Sequence, residues 1–330
     1  MNIFQRYLAE EFAEDYEEGR LSRREALKLI TSVTGSLIAA NSILAGCVPS
    51  ESTETSAASP TDAPTTGPTE SREASPTSES VSTEAASPAA TYGTVMPDDP
   101  AVTASEVQIP AGDTNLIGYL ARPSSETVSP VILVCHENRG LTPHIQDVTR
   151  RFAKAGYVGL AVDLLSRQGG SASVGESNVP GALGNISPDQ FVEDFKSGWR
   201  YLQGQTFADA RKVGMTGFCF GGGVTWRVAT QMSELLAAVP FYGPAPDVED
   251  VPNIRAAVLA IYGELDSRIN SGIPTIEKAM LENNRIYEKI IYPNADHAFN
   301  NDTGQRYNPE AAKDAWEHTL AWFEKYVGNV

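Results

Sequence analysis

Residues 216–223, TGFCFGGG, set a cysteine, Cys219, inside the pattern Gly217-x-Cys219-x-Gly221. A thiol in such a place can attack an acyl carbon if a histidine takes its proton and a carboxylate orients the histidine. The chain has four histidines. His297, in NADHAFN, follows Cys219, and Asp266, in YGELD, lies between the two. Nucleophile, acid, histidine is the chain order that a nucleophile elbow requires. Asp296 is the rival acid, but adjacent residues rarely turn their side chains onto one another. Asp163 precedes the nucleophile and reads as structural. Of the remaining histidines, His136 ends a strand before the elbow, His144 opens a helix and His318 falls on the polar side of the last helix. The competing reading of Cys219 is a buried thiol in a glycine-rich turn. Three elements in the right order favour a triad of Cys219, Asp266 and His297.

The elements that must position these groups follow from hydrophobic patterning. NLIGYLAR (115–122) alternates between polar boundaries and predicts an edge-type strand. Apolar runs at 131–137, 157–163, 212–218, 237–243, 256–263 and 287–293 predict further strands, several of them covered on both faces. Helical patterns occupy about 142–155, 188–202, 221–231, 272–283 and 309–326. This alternation predicts one α/β domain around a mostly parallel sheet. Functional groups in such sheets gather at the carboxyl ends of strands, where Cys219, Asp266 and His297 all fall. Small residues flank Cys219 because the backbones at an elbow approach closely, and the following helix N-terminus favours a thiolate. Cys135 sits within an apolar strand and reads as a small buried hydrophobe. Alternation of side chains along that strand argues against a metal site built from Cys135, His136 and Glu137.

The formal net charge is −17. Residues 49–99 are rich in Ser, Thr, Ala, Pro and Glu and hold nine acidic residues against one basic, Arg72. A segment of that composition buries too little apolar surface to offset its ordering entropy, so 48–100 reads as a disordered linker. The remaining acidity excludes nucleic acid as a partner, since no Lys/Arg cluster is present to neutralise phosphates. No obligate protein partner is evident. Residues 1–47 contain the pair Arg23-Arg24, a moderately apolar run from Leu29 to Gly46, and then Cys47 in LAGC. In that order these resemble a twin-arginine export signal followed by a lipobox, with Cys47 as the lipid-bearing residue. Acyl chains on Cys47 would hold the protein at a membrane, outside the cytoplasm, with 48–100 as a tether. On this reading residues 1–47 lie outside the folded domain, 101–330.

CHENRG, GFCFGGG, YGELD and DHAF, spread over residues 100–330, are similar to the dienelactone hydrolase family. The resemblance implies the α/β-hydrolase fold, a mostly parallel central sheet flanked by helices, with no metal and no organic cofactor. It implies that Cys219 is the nucleophile and that Asp266 and His297 complete the triad. Glu137, in HEN, matches the glutamate that contacts the resting cysteine in that family. The oxyanion hole is expected at the backbone N–H groups of Phe220 and Asn138, each such donor being worth roughly 3 kcal/mol of barrier. The family's carboxylate-binding arginines have no direct counterpart: HAFNND carries asparagines, and no arginine follows until Arg306. Arg139 and Arg167 are the other cations available for that task.

The expected activity is hydrolysis of a lactone or small carboxylic ester through an acyl-enzyme. The alternatives are a cysteine-dependent thioesterase or general esterase, and a non-catalytic surface binding protein on the same scaffold. An intact triad argues against the last. A thiol-redox role lacks a C-x-x-C or a resolving cysteine.

Overall fold

The structure, a computed structural model, describes residues 1–47 and 93–328. The linker expected at 48–100 therefore lies mostly outside the described residues. Its end does not: Val95 is buried, its N–H donates to Asp147 Oδ1 at 2.7 Å, and its carbonyl accepts from Arg150 Nε at 2.6 Å.

Eight strands form one sheet: β1 Val102–Ala111, β2 Thr114–Pro123, β3 Ser129–Cys135, β4 Val158–Val162, β5 Ala208–Phe218, β6 Ala237–Phe241, β7 Ala257–Gly263 and β8 Tyr287–Tyr292. Their order is β1-β2-β4-β3-β5-β6-β7-β8. β3 to β8 pair in parallel, whereas β1 and β2 run antiparallel. The central strands β3, β4, β6 and β7 are buried at every residue, which is why each reads as a continuous apolar run. The strand 115–122 is not an edge. β1 covers it, and β1 alternates too weakly to be seen in sequence, since VTASEVQIPA buries only Val102 and Ile109.

The helices that follow strands are α4 Pro143–Lys154, α5 Ser171–Val174, α6 Val179–Gly184, α7 Pro188–Gln203, α8 Phe220–Gln231, α9 Ser267–Asn270, α10 Ile273–Glu282 and α11 Pro309–Tyr326. α4, α7, α10 and α11 each carry proline in the first turn, where its missing N–H costs no hydrogen bond.

The first 47 residues depart from expectation. They form α1 Ile3–Glu17, α2 Arg23–Thr34 and α3 Leu37–Ala45, and all three pack into the same core as the sheet. α1 and α2 are each started by a capping box, Asn2 with Gln5 and Ser22 with Glu25. Phe4, Tyr7, Leu8 and Phe12 line one face of α1 and are buried. The Phe4 ring meets those of Phe191 and Phe220 at 5.3 and 5.0 Å. Among the described residues no helix is long and apolar enough to cross a membrane.

Candidate active site

Cys219 lies between the end of β5 and the start of α8 with φ +58° and ψ −122°, a conformation that costs a residue with a side chain about 1–3 kcal/mol. The turn is tight on both sides. A Cβ on Gly217 would stand 2.2 Å from the Gly221 carbonyl oxygen, and one on Gly221 would stand 2.4 Å from that of His136. Only glycine fits either place, which is the physical content of the Gly-x-Cys-x-Gly spacing. The strained turn lifts the thiol to the carboxyl edge of the sheet.

The loop after β8 brings His297 to the same edge. Its Nδ1 is 2.6 Å from Asp266 Oδ2, and both side chains are buried. Asp266 follows β7 and caps α9 by accepting from the Ile269 N–H at 3.2 Å. Asp296 accepts from the His297 backbone N–H at 2.6 Å and does not orient the ring. The His297 ring and the Cys219 sulfur stand within 4.8 Å of each other. Cys219 and the hydrogen-bonded pair His297–Asp266 thus lie together at one edge of the sheet.

Burial acts against the charged imidazole, but the Asp266 carboxylate overrides it and holds His297 well above the ordinary histidine range. In return His297 keeps Asp266 below the usual carboxylate value despite burial. The Cys219 thiol is raised, first by burial and then by the charge of Glu11, against the opposing pull of His297.

Glu11 and Tyr7 come from α1 and were invisible to motif reading. Tyr7 donates from Oη to Cys219 Sγ at 3.1 Å and lies 3.2 Å from His297 Nε2. The Glu11 carboxylate oxygens stand 3.6 and 3.7 Å from the same sulfur, and Oε1 accepts from Asn138 Nδ2 at 3.1 Å. One turn further on, Glu14 accepts from Arg268 Nε at 2.9 Å, and that guanidinium covers the Tyr7 ring at 4.7 Å. The signal that would have found α1 is the apolar spacing of Phe4, Tyr7, Leu8 and Phe12. Arg268 carried no motif at all.

The other sequence-chosen residues divide. Glu137 is buried near the thiol, yet its Oε2 accepts from Asn301 Nδ2 at 2.7 Å, and the carboxylate lying on the sulfur is Glu11. A second carboxylate against the same thiol would be repelled, which accounts for Glu137 turning to an amide. Phe220 opens α8 directly after Cys219, and Asn138 follows Glu137 on the loop after β3. Arg306 is near enough for its charge to be felt by Glu11, Asp15 and Cys219. Arg139 is not part of the site, being exposed and 3.5 Å from Glu176, and Arg167 is held 2.8 Å from Asp194. Cys135 is buried in β3. His136 is buried as a neutral ring: Nε2 accepts from the Leu164 N–H at 3.2 Å, so Nδ1 donates to the Glu137 carbonyl at 2.7 Å. Glu11, Cys219 and His297 present ligand-type atoms within 4.8 Å of one another. Their contacts with Tyr7, Asn138 and Asp266 already engage these atoms, so the grouping reads as an acid–base site rather than a metal site.

A mixed eight-stranded sheet with a Gly-x-Cys-x-Gly elbow after β5 defines an α/β-hydrolase fold. The sequence model of the dienelactone hydrolase family matches residues 116–327. The chain belongs to that family and is a hydrolase. It is 34% identical over 261 residues to an Escherichia coli O157:H7 protein named "Putative carboxymethylenebutenolidase", a match spanning 74% of this chain and 95% of that one. A protein of the same name from Methylorubrum extorquens is 32% identical over 255 residues, spanning 73% and 88% of the two chains. Among solved structures, one from Klebsiella pneumoniae titled "Putative Dienelactone Hydrolase" superposes with a TM-score of 0.65 at 33% identity. It covers 68% of this chain and all of that one.

Proposed function

We propose that the protein hydrolyses lactones or small carboxylic esters with Cys219 as nucleophile. The observation that carries this reading is Cys219 on its strained elbow, with the His297–Asp266 pair, itself joined at 2.6 Å, within 4.8 Å of the sulfur. His297 Nε2 takes the thiol proton as Sγ bonds to the acyl carbon, and Asp266 stabilises the imidazolium. The carbonyl π pair moves onto oxygen, where the backbone N–H groups of Phe220 and Asn138 receive it. When the tetrahedral adduct collapses, the C–O bond breaks and the leaving alkoxide takes the proton from His297. The thioester is then attacked by water, whose proton passes to His297, and the second collapse returns that proton to Cys219 Sγ and frees the acid. Glu137, held by Asn301, adds negative charge beside the thiol. Arg268 and Arg306 are the cations at this site, and they suit an acyl substrate that carries its own carboxylate.

The family's name and the names of its relatives support dienelactone as the first substrate to try. The test is turnover of dienelactone and of p-nitrophenyl esters by the protein and by its Cys219→Ala variant. Loss of turnover in the variant supports the reading; equal turnover in both removes it. A pair of esters differing by one carboxylate, tried with Arg268→Gln, reports the anion site as a rise in KM for the charged ester alone.

We further propose that Cys47 is lipidated after export. Support comes from Arg23-Arg24, the run Leu29 to Gly46 and LAGC, and from the exposure of Ala45 and Gly46, which leaves the bond ahead of Cys47 open to cutting. Membrane fractionation of the full chain against Cys47→Ser tests it, and an unchanged distribution would remove the anchor.

A further inference from the structure

α1 lies where a substrate must lie. An acyl carbon in position for attack stands about 3–3.5 Å from the sulfur. That shell is taken by Tyr7 Oη at 3.1 Å, with the Glu11 carboxylate just beyond at 3.6 and 3.7 Å. Cys219 is left 3% exposed and His297 2%. The base is engaged as well, since Tyr7 Oη is 3.2 Å from Nε2, the atom that must take the thiol proton.

The seat is specific and polar as well as apolar. Phe4 packs against Phe191 and Phe220, the latter being the residue after the nucleophile. Leu8 is fully buried, Arg268 holds Glu14, and Asn138 holds Glu11. α2 continues the contact onto α6, where a Cβ on Gly181 would meet Ser32 Oγ at 2.7 Å. The last of the three helices ends at Ala45, with Gly46 as its C-cap directly before Cys47.

We propose that residues 1–46 are a built-in inhibitor of this hydrolase, with α1 laying Tyr7 and Glu11 on Cys219 and His297, and that cutting ahead of Cys47 opens the site. The inference rests on Cys219 as nucleophile and on Cys47 as the cut site, both proposed above. Glu11 adds a second effect, because a negative charge fixed beside the sulfur disfavours the thiolate that would attack. A chain that folds before export would thereby stay inactive until its N-terminal segment is removed. The family's sequence model matches residues 116–327, all of them beyond that segment.

The experiment uses the full chain with Cys47→Ser and a specific protease site placed within residues 60–80. Hydrolysis of p-nitrophenyl acetate and iodoacetamide labelling of Cys219, read by peptide mass, are followed before cutting and after the freed segment is separated. If the seat is filled about 99% of the time, only the open fraction reacts, and both rates rise about 100-fold on release. Phe4→Asp in the uncut chain is expected to move both rates toward the cut value, and adding residues 1–46 back as a peptide to lower them again. Equal rates in the uncut and cut protein would overturn the proposal. So would an uncut chain that labels and turns over and that loses both on cutting while it keeps its circular dichroism spectrum, because Tyr7 and Glu11 would then belong to the catalytic machinery. Labelling that rises with no ester hydrolysed supports the inhibitor and removes the proposed ester hydrolysis at Cys219 instead.

Discussion

Cys219 stands between two sets of polar groups with opposite effects. On the side of the sheet, His297 and Asp266 form a pair in which the aspartate raises the imidazole and the imidazole draws the thiol toward its charged form. On the side of α1, Glu11 and burial push the thiol up, and Tyr7 occupies both sulfur and base. Both sets lie within a few ångströms of the sulfur and both are buried. What separates them is the neighbour each carboxylate faces. Asp266 meets the His297 ring at 2.6 Å, whereas Glu11 meets the Cys219 sulfur itself and accepts from the Asn138 amide, with His297 Nε2 standing off at 3.9 Å. A carboxylate can thus promote or suppress a thiolate by whether a base stands between them.

The largest effect is expected on the sheet side. Asp266→Asn keeps the shape but loses the charge that holds the imidazolium and its tautomer, so kcat for a p-nitrophenyl ester should fall about 10³–10⁴-fold in the cut protein. A loss below about tenfold would mean that His297 does not depend on Asp266, and the comparison would fail on that side. The α1 side should give the smaller, opposite response. Glu11→Gln in the uncut chain removes a charge and keeps the volume, so the pH at which Cys219 is half ionised should move down. The ultraviolet absorbance of the thiolate, taken as the difference from the same chain with Cys219→Ala, measures it, and an upward or absent shift would take Glu11 out of the account. Asn138→Ala should leave Glu11 without its donor, and the same titration then places Cys219 above the parent chain.

The sheet side was legible in sequence and the α1 side was not, for a physical reason. An elbow constrains backbone atoms that only glycine can satisfy, so Gly217 and Gly221 announce Cys219 from five residues. β7, buried at every residue, announces itself as an apolar run with the acid past its end, whereas β8 buries only Tyr292 and is marked by its tyrosines and isoleucines, with the histidine in the loop after it. α1 holds its place by side-chain packing of Phe4, Leu8 and Phe12, and helical spacing alone does not say against what a face will pack. Glu11 and Tyr7 acquire meaning only from that docking. The same holds for Glu137, whose matching motif predicts contact with the sulfur although Asn301 claims it. β1 was missed because a strand with two buried residues has too little contrast between its faces.

A last and smaller effect tests how firmly the sheet side is held in place. His297 rides on a loop that Asp302 ties to α4: Asp302 Oδ1 lies 3.0 Å from His144 Nδ1, and Oδ2 accepts from Arg151. Burial would raise the Asp302 carboxyl, but His144 and Arg151 bring it down from 3.8 to about 2. A depression of that size corresponds to about 2.5 kcal/mol, which partial exposure to solvent reduces to about 1 kcal/mol. Because the folded value lies below the unfolded one, this contribution is complete above pH of about 4 and is lost as pH falls toward 2. Asp302→Asn should therefore destabilise the protein by about 1 kcal/mol in urea at pH 7, with the gap to the parent narrowing at pH 3. A gap that persisted at low pH would show that the carboxylate charge is not what anchors the loop. His297 would then owe its position to the packing of Phe299 and Ala295 on either side of it.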